Sequence, residues 1–494
     1  MNSAVRLPFP IRWQVWTIIF GAFLGLGLVK FGNPIILDAE IPVPSNLSEL
    51  WNEPWPAIWG LSAAWCLSAA ALWIRLSSTR KGAFKWQSWR FWLPLVWFVW
   101  QVAAAGHSVD ATLSRPTLAH FSAFLLCWWL GCYLLPTASW PRWLLIGILV
   151  ALAFCLVRAA NQRWGGFRRD RESLLEGQRT GWTNYPVADL AEMQRTRMLL
   201  STNNALIINP LVLVKLERAR VSGTLVYPNA LAGALLLLLP ISILLALRET
   251  VALRPPIRFL VIGVTLFLGL GCFIWTGSKS AWLIAVGQVG LVLADRPWSA
   301  RWRTMAITLL VLVGLITFAI RFRAYFAAGA TSVSARFDYW QVAWHTALDH
   351  PGFGTGPGTF MRSYAQRKAP EAEMTRLVHN DYLEQFSDSG FPGGLLYVVW
   401  VGSALWLSGR TTLRHREPVR TALWLGAAAW FIQGFVEFSL YIPGMAFLGW
   451  TFLGALTNGD QSLAFSVTDE TSPTSTPRRL SNSSASNQAP RKPS

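Results

Sequence analysis

Charge is scarce in this 494-residue chain: 14% of residues are Asp, Glu, Lys or Arg, against about 25% in soluble globular chains. With 53% hydrophobic residues and a mean hydropathy of +0.36, that deficit argues against a soluble domain and points to an integral membrane protein. Acidic residues are the scarcer sign, 25 against 43 basic, which leaves a net charge of +18. In a soluble protein such an excess would suggest nucleic acid; here much of it follows the membrane, and no nucleic-acid partner is expected. The five cysteines (Cys66, Cys127, Cys132, Cys155, Cys272) all fall in apolar runs. None shows metal-type spacing or stands where an external disulfide would form, so they read as small core hydrophobes. There is no nucleotide-binding glycine loop and no internal repeat. The first apolar run follows Arg6 and Arg12, continues to about Val29 and lacks a small-x-small cleavage site, so it is expected to stay attached as a first span. Tryptophan, in contrast, is plentiful at 29, as a protein with many interfacial belts requires.

Apolar runs long enough to cross a bilayer begin near Trp13, Pro56, Phe91, Thr117, Trp143, Tyr227, Ile257, Lys279, Thr304, Phe391, Thr421 and Ile442. This gives about twelve transmembrane helices in an all-α membrane fold. Orientation follows from the basic residues of the short connections. Arg80, Lys81, Lys85 and Arg90 form one group, and Arg248, Arg254 and Arg258 a second. Arg296, Arg301 and Arg303 form a third, and Arg410, Arg414, Arg416 and Arg420 a fourth. All four face the cytoplasm if the N-terminus does. The acidic connection from Asp38 to Glu53 then faces out, as do two long loops at about 159–226 and 323–390, in which short helices are expected. The transmembrane domain spans 1–457. The stretch 458–494, rich in Ser, Thr and Pro, reads as a disordered cytoplasmic tail.

Polar chemistry concentrates in the outer loops. The second holds Arg336 on an amphipathic helical pattern with Trp340 and Trp344 on one face. Gly352, Gly354, Gly356 and Gly358 follow at every second position; they cannot form a helix, and they would let the backbone approach a ligand. Next come His379-Asn380-Asp381-Tyr-Leu-Glu384 and, after nine intervening residues from Asn380, Gly390-Phe-Pro-Gly393. Asn380 is placed to cap a helix that Gly390 ends. An imidazole at a membrane face can take a proton from a sugar hydroxyl, which makes His379 the candidate base. His345 and His350 read as helix-face and turn residues. Asp381 and Glu384 beside His379 would suggest a metal, but no second histidine has ligand-like helical spacing, and no metal is expected. The first loop carries Arg218 and Arg220 before Gly223 and Tyr227-Pro-Asn229. A guanidinium there either holds a diphosphate by forked hydrogen bonds or snorkels at the interface. Lys279 lies in Thr276-Gly-Ser278-Lys279-Ser280-Ala281, near the outer end of a span.

Together these stretches resemble the O-antigen ligases, a branch of the membrane superfamily that also holds the O-antigen polymerases. The landmarks are the His379-Asn380 to Gly393 motif, Arg336 sixteen positions before Gly352, and Arg220 before Pro228-Asn229. The chain departs at Lys279, where members often show arginine; lysine is a point charge without the fork. The likeness covers about 220–453. It implies a GT-C-like fold in the bacterial inner membrane and a glycan donor on a polyprenyl diphosphate. No cofactor is implied. Transfer would be metal-independent and inverting, with His379 catalytic and Arg220, Arg336, Lys279, Arg218 and Asn380 binding substrate. The acceptor would be lipid A–core, in lipopolysaccharide biosynthesis, or another glycan. A polymerase joining lipid-linked repeat units uses the same chemistry, and an oligosaccharyltransferase directed at protein is a third enzyme reading. A transporter or lipid flippase is the non-enzyme alternative. Transporters keep polar residues at the bilayer midplane, whereas here ionisable clusters lie in the outer loops.

Overall fold

The computed structural model describes residues 9–77, 88–135, 140–202, 205–327, 329, 331–370 and 372–457. The basic residues Arg80, Lys81 and Lys85 and the tail expected from Asn458 lie outside the described residues. The chain opens with α1 (Phe9–Lys30), α2 (Leu47–Asn52), α3 (Ala57–Leu76), α4 (Trp89–Ala105), α5 (Ala111–Trp129) and α6 (Trp140–Asn161). A π-turn at Gln162–Gly166 runs α6 on into α7 (Phe167–Arg179). Then come α8 (Val187–Arg195), the strands β1 (Leu199–Thr202) and β2 (Ala205–Ile208), and α9 (Pro210–Arg218). The second half holds α10 (Pro228–Glu249), α11 (Pro255–Thr276), α12 (Lys279–Ala294), α13 (Ala300–Ala327), α14 (Thr331–Asp349), α15 (Phe360–Arg367), α16 (Asp381–His415), α17 (Pro418–Gln433) and α18 (Pro443–Leu456).

A helix runs through each of the twelve positions where an apolar span was expected. Among the described residues, seven helical runs can cross a membrane by length and composition: Ile11–Lys30, Ala57–Leu76, Arg142–Arg179, Pro228–Glu249, Pro255–Thr276, Ala300–Ala327 and Asp381–His415. Lys279–Ala294 and Pro443–Leu456 are shorter apolar helices. The architecture is therefore helical, with one departure from the all-α expectation. Inside the 159–226 segment β1 and β2 pair antiparallel, Leu199 opposite Ile208. That segment carries its own small core of Leu174, Trp182, Leu199 and Ile208.

Lipid offers helices little hydrophobic gain for associating, so close packing has to hold them together. Small residues supply it where α1 crosses α6: a Cβ on Gly21 would run into the Leu144 carbonyl. The centre is aromatic. Trp97, Phe124, Trp128, Trp400 and Trp450 are fully buried, and the rings of Trp400 and Trp450 stack 3.9 Å apart. Cys127, Cys132, Cys155 and Cys272 are buried as core residues, whereas Cys66 is exposed on the apolar helix α3.

Polar contacts sort the helix connections into two ends. At one end Arg376 pairs with Glu40 at 2.5 Å, Arg362 with Asp110 at 2.7 Å and Arg336 with Glu437 at 2.6 Å. The Asp381 N–H donates to the Gly434 carbonyl at 2.7 Å. At the other end Arg75 donates to the Tyr133 carbonyl at 3.3 Å, Arg416 meets Asp295 at 3.6 Å and Arg420 donates to the Leu456 carbonyl.

The glycine run packs in part against a break in α16 at Ser389–Gly390, where Gly390 takes φ +68°. The Gly356 N–H donates to the Asp388 carbonyl at 2.8 Å and the Gly358 N–H to Asp388 Oδ2 at 2.6 Å. A Cβ on Gly354 would overlap the Asp388 backbone, and one on Gly390 would overlap Gly352. Gly354 thus approaches the chain's own helix closely, whereas a Cβ on Gly356 or Gly358 would meet Ser108 or Thr117, and one on Gly352 would stand in open space. This seam fixes the short helical piece 381–388, and with it His379, against the top of the bundle.

Candidate functional site

Three elements converge on one carboxylate that sequence reasoning missed. Glu437 lies in the short connection 434–442 between α17 and α18 and is 4% exposed. Its Oε1 accepts from Arg336 Nη2 on α14 at 2.6 Å and from Asn229 Nδ2 at the start of α10, also at 2.6 Å. Its Oε2 stands 3.6 Å from His379 Nδ1. Asn229 hands the network on: its Oδ1 accepts from Arg220 Nη2 at 2.7 Å, and Arg220 Nε donates to the Thr276 carbonyl at 2.6 Å. Arg220, Arg336 and His379, separated by up to 159 positions, therefore meet around Glu437.

Local sequence explains each placement. α11 ends at Thr276 because Gly277 takes the left-handed conformation, φ +59°, and α12 starts two residues on. That tight turn exposes the Thr276 carbonyl that Arg220 takes. Pro228 at the first turn of α10 fits a helix start, where a missing N–H costs nothing, and puts Asn229 at the mouth of the bundle. His379 itself has φ +56°, a conformation that costs a residue with a Cβ about 1–2 kcal/mol. The segment is held there from both sides. The Val378 N–H donates to Glu384 Oε2 at 3.3 Å, and Asn380 Oδ1 caps the next helix by accepting from the Tyr382 and Leu383 N–H groups at 3.1 and 2.9 Å. Asn380 thus caps as the sequence suggests, which leaves only its amide nitrogen for a substrate. Asp381 and Glu384 are buried, and Asp381 accepts from the Leu440 N–H at 3.2 Å, so it anchors the connection that carries Glu437. Among the described residues no group of three or more His, Cys, Asp and Glu side chains stands together as a metal site.

The imidazole of His379 is packed between rings. Tyr339 lies 5.9 Å away in a near-stacked arrangement, and Phe438 contacts it edge-on at 4.7 Å. Its Nδ1 is buried while the side chain keeps 27% of its surface exposed. Burial first, then the Tyr364 phenol, pushes the Tyr339 hydroxyl up to about 12, so Tyr339 is a neutral neighbour. Burial also presses the Arg220 guanidinium below its ordinary value; Glu437 opposes this, while Arg218 and Arg336 add to it. A guanidinium stays charged regardless.

Lys279 begins α12 within electrostatic reach of Arg220, Arg336, Arg218 and Glu437. Its ammonium does not join the network; it sits 3.8 Å from the Tyr325 ring centre and 5.4 Å from that of Phe322. Arg218, at the end of α9, is exposed at the rim. His345 and His350 are exposed on α14 and the turn after it, away from the cluster. The site thus holds two guanidiniums, Arg336 directly and Arg220 through Asn229, on one buried carboxylate, with Lys279 and Arg218 nearby, an excess suited to a ligand with more than one negative charge.

A signal for Glu437 was present in the chain. It is the only acidic residue between Pro418 and Gly459, in an otherwise apolar stretch, and an ionisable residue in such a setting is a functional candidate by default. No curated protein matches the chain. Residues 264–398 match the family model described as O-antigen ligase, a span that contains Lys279, Arg336 and His379 and is narrower than the likeness read from the sequence. Over that stretch the chain is similar to the O-antigen ligase superfamily.

Proposed function

We propose that the protein transfers a glycan from a polyprenyl diphosphate carrier to a sugar hydroxyl of lipid A–core, on the outer face of the bacterial inner membrane. A ligase- or polymerase-type role in O-antigen assembly comes with the family. The arrangement that carries the finer reading is the convergence of Arg220, Arg336 and His379 on one end of the bundle. All twelve apolar helices cross in this reading, both termini lie in the cytoplasm, and the end holding Glu437 faces out. A catalyst on that face has no nucleotide sugar to use, so its donor arrives already activated; a diphosphate is a good leaving group.

The acceptor oxygen bonds to the anomeric carbon as the bond from that carbon to the diphosphate oxygen breaks, with inversion and without a metal. The leaving diphosphate keeps the electron pair. Arg220, Arg336 and Lys279, with Arg218 at the rim, hold the charge that grows there, the strongest stabilisation such a site can supply. His379 takes the acceptor proton. Its Nδ1 faces Glu437, which leaves Nε2 for the hydroxyl. A polymerase would run the same step with a second lipid-linked repeat unit as acceptor.

The test is transfer by purified full-length protein from polyprenyl-diphosphate glycan, with lipid A–core or a second lipid-linked unit offered as acceptor, with and without EDTA. His379→Ala should stay folded and bind donor lipid, with transfer reduced by about 10²–10⁴ as expected for loss of a general base. Near-normal transfer by His379→Ala would remove the base role. Loss of wild-type transfer in EDTA would overturn the metal-free step, and preference for the lipid-linked unit would replace ligase by polymerase.

A further inference from the structure

We infer that Glu437, outside the family-matched stretch, is the positioning residue of the site: one carboxylate orients His379 and holds the donor-binding arginines in register with it. The inference rests on the reading of His379 as the base. Each carboxylate oxygen has a separate task. Oε2 faces His379 Nδ1 at 3.6 Å, while Oε1 accepts from both Arg336 and Asn229, each at 2.6 Å. Through Asn229 it also fixes Arg220. A rigid, buried carboxylate in this place joins the base to the donor-phosphate pocket through one side chain.

Two observations say that this is more than a packed ion pair. His379 Nδ1 and Arg336 Nε are buried without a hydrogen-bond partner, so neither side chain is saturated by the contacts it makes. A single 2.6 Å bond from Nη2 leaves the remaining Arg336 donors for a phosphate. Second, the Nδ1 to Oε2 separation, 3.6 Å, is too long for a full hydrogen bond and short enough for charge–charge attraction across it. As His379 takes the acceptor proton and becomes cationic, Glu437 is the negative charge beside it. Tyr339 on α14 lies beside His379, and Arg336 on α14, Arg220 before α10 and Lys279 on α12 are the cations gathered near Glu437. On its own segment, Asp381 and Glu384 are turned to the Leu440 and Val378 N–H groups.

Glu437→Gln keeps the shape and an acceptor oxygen while removing the charge. In the transfer assay kcat should fall strongly, by up to about 10⁴-fold as when the carboxylate orienting a general-base histidine becomes an amide, with a smaller change in KM for donor. Glu437→Asp, with the charge retained on a shorter arm, should recover part of kcat. A purely structural role would lower the yield of folded protein in both variants and leave kcat per folded molecule unchanged. Wild-type kcat in folded Glu437→Gln overturns the inference. So does a fall in kcat that folded Glu437→Asp shares in full. If His379→Ala is active, the base reading falls instead, whatever Glu437→Gln does.

Discussion

Lysine in place of Arg220 or Arg336 keeps the charge but loses the planar fork that reaches two acceptors at once. Arg220 uses that fork, with Nε on the Thr276 carbonyl and Nη2 on Asn229. Each Arg→Lys variant should therefore express normally and lose about 10–100-fold in transfer, the equivalent of one charge-assisted hydrogen bond of about 1.5–3 kcal/mol. Full turnover in both would take the arginines out of the donor site. Arg336→Ala is a different experiment. Arg336 is 18% exposed and Glu437 5% by side chain, so truncation strands a buried carboxylate, a loss of about 3–5 kcal/mol. Reduced folding there would say little about chemistry. Lys279 presents the opposite case: a cation in reach of the cluster but lying on the Tyr325 ring, where cation–π attraction substitutes for an ion pair.

At the scale of elements, the break in α16 decides where the base stands. Gly390 has φ +68° and ψ −176°, a region that is essentially glycine's alone and costs other residues on the order of 1–3 kcal/mol. A Cβ there would also overlap the Gly352 carbonyl. Gly390→Ala should lower the unfolding temperature in detergent and, in the protein that does fold, weaken transfer, since the seam between residues 352–358 and 381–390 carries the His379 segment. Unchanged stability and transfer would show that the seam tolerates a side chain. The glycine spacing was legible in the sequence, but its purpose was not. Alternate glycines announce a close approach without saying whether a ligand or the chain's own helix comes close. Likewise Asn380 was recognisable as a cap from its place before Asp381-Tyr-Leu-Glu384, because capping is a local geometry.

For the whole molecule, orientation is the testable property. Gln366 on α15 is exposed near the Glu437 end, and Ser299 before α13 is exposed toward the Asp295–Arg416 end. In a Cys66→Ala background, Gln366→Cys should label with a membrane-impermeant thiol reagent in intact spheroplasts, and Ser299→Cys only after lysis. The reverse pattern would invert the protein and move the site to the cytoplasm. Ser363, one turn away, is buried and would report nothing.

The sequence by itself determined the helical membrane class, the places of the helices, the likeness to the O-antigen ligases and the candidacy of Arg220, Arg336 and His379. Hydropathy, basic clusters and caps act over a few neighbouring residues, so a linear reading captures them. Only the tertiary structure decided that those residues share one carboxylate, that Lys279 rests on aromatic rings, that the glycine run is a seam, and that the first loop holds a hairpin. The physical reason is separation along the chain. Glu437 meets Arg336 across 101 positions and Asn229 across 208. Such partners are chosen by how the helices pack, and packing depends on every side chain between them.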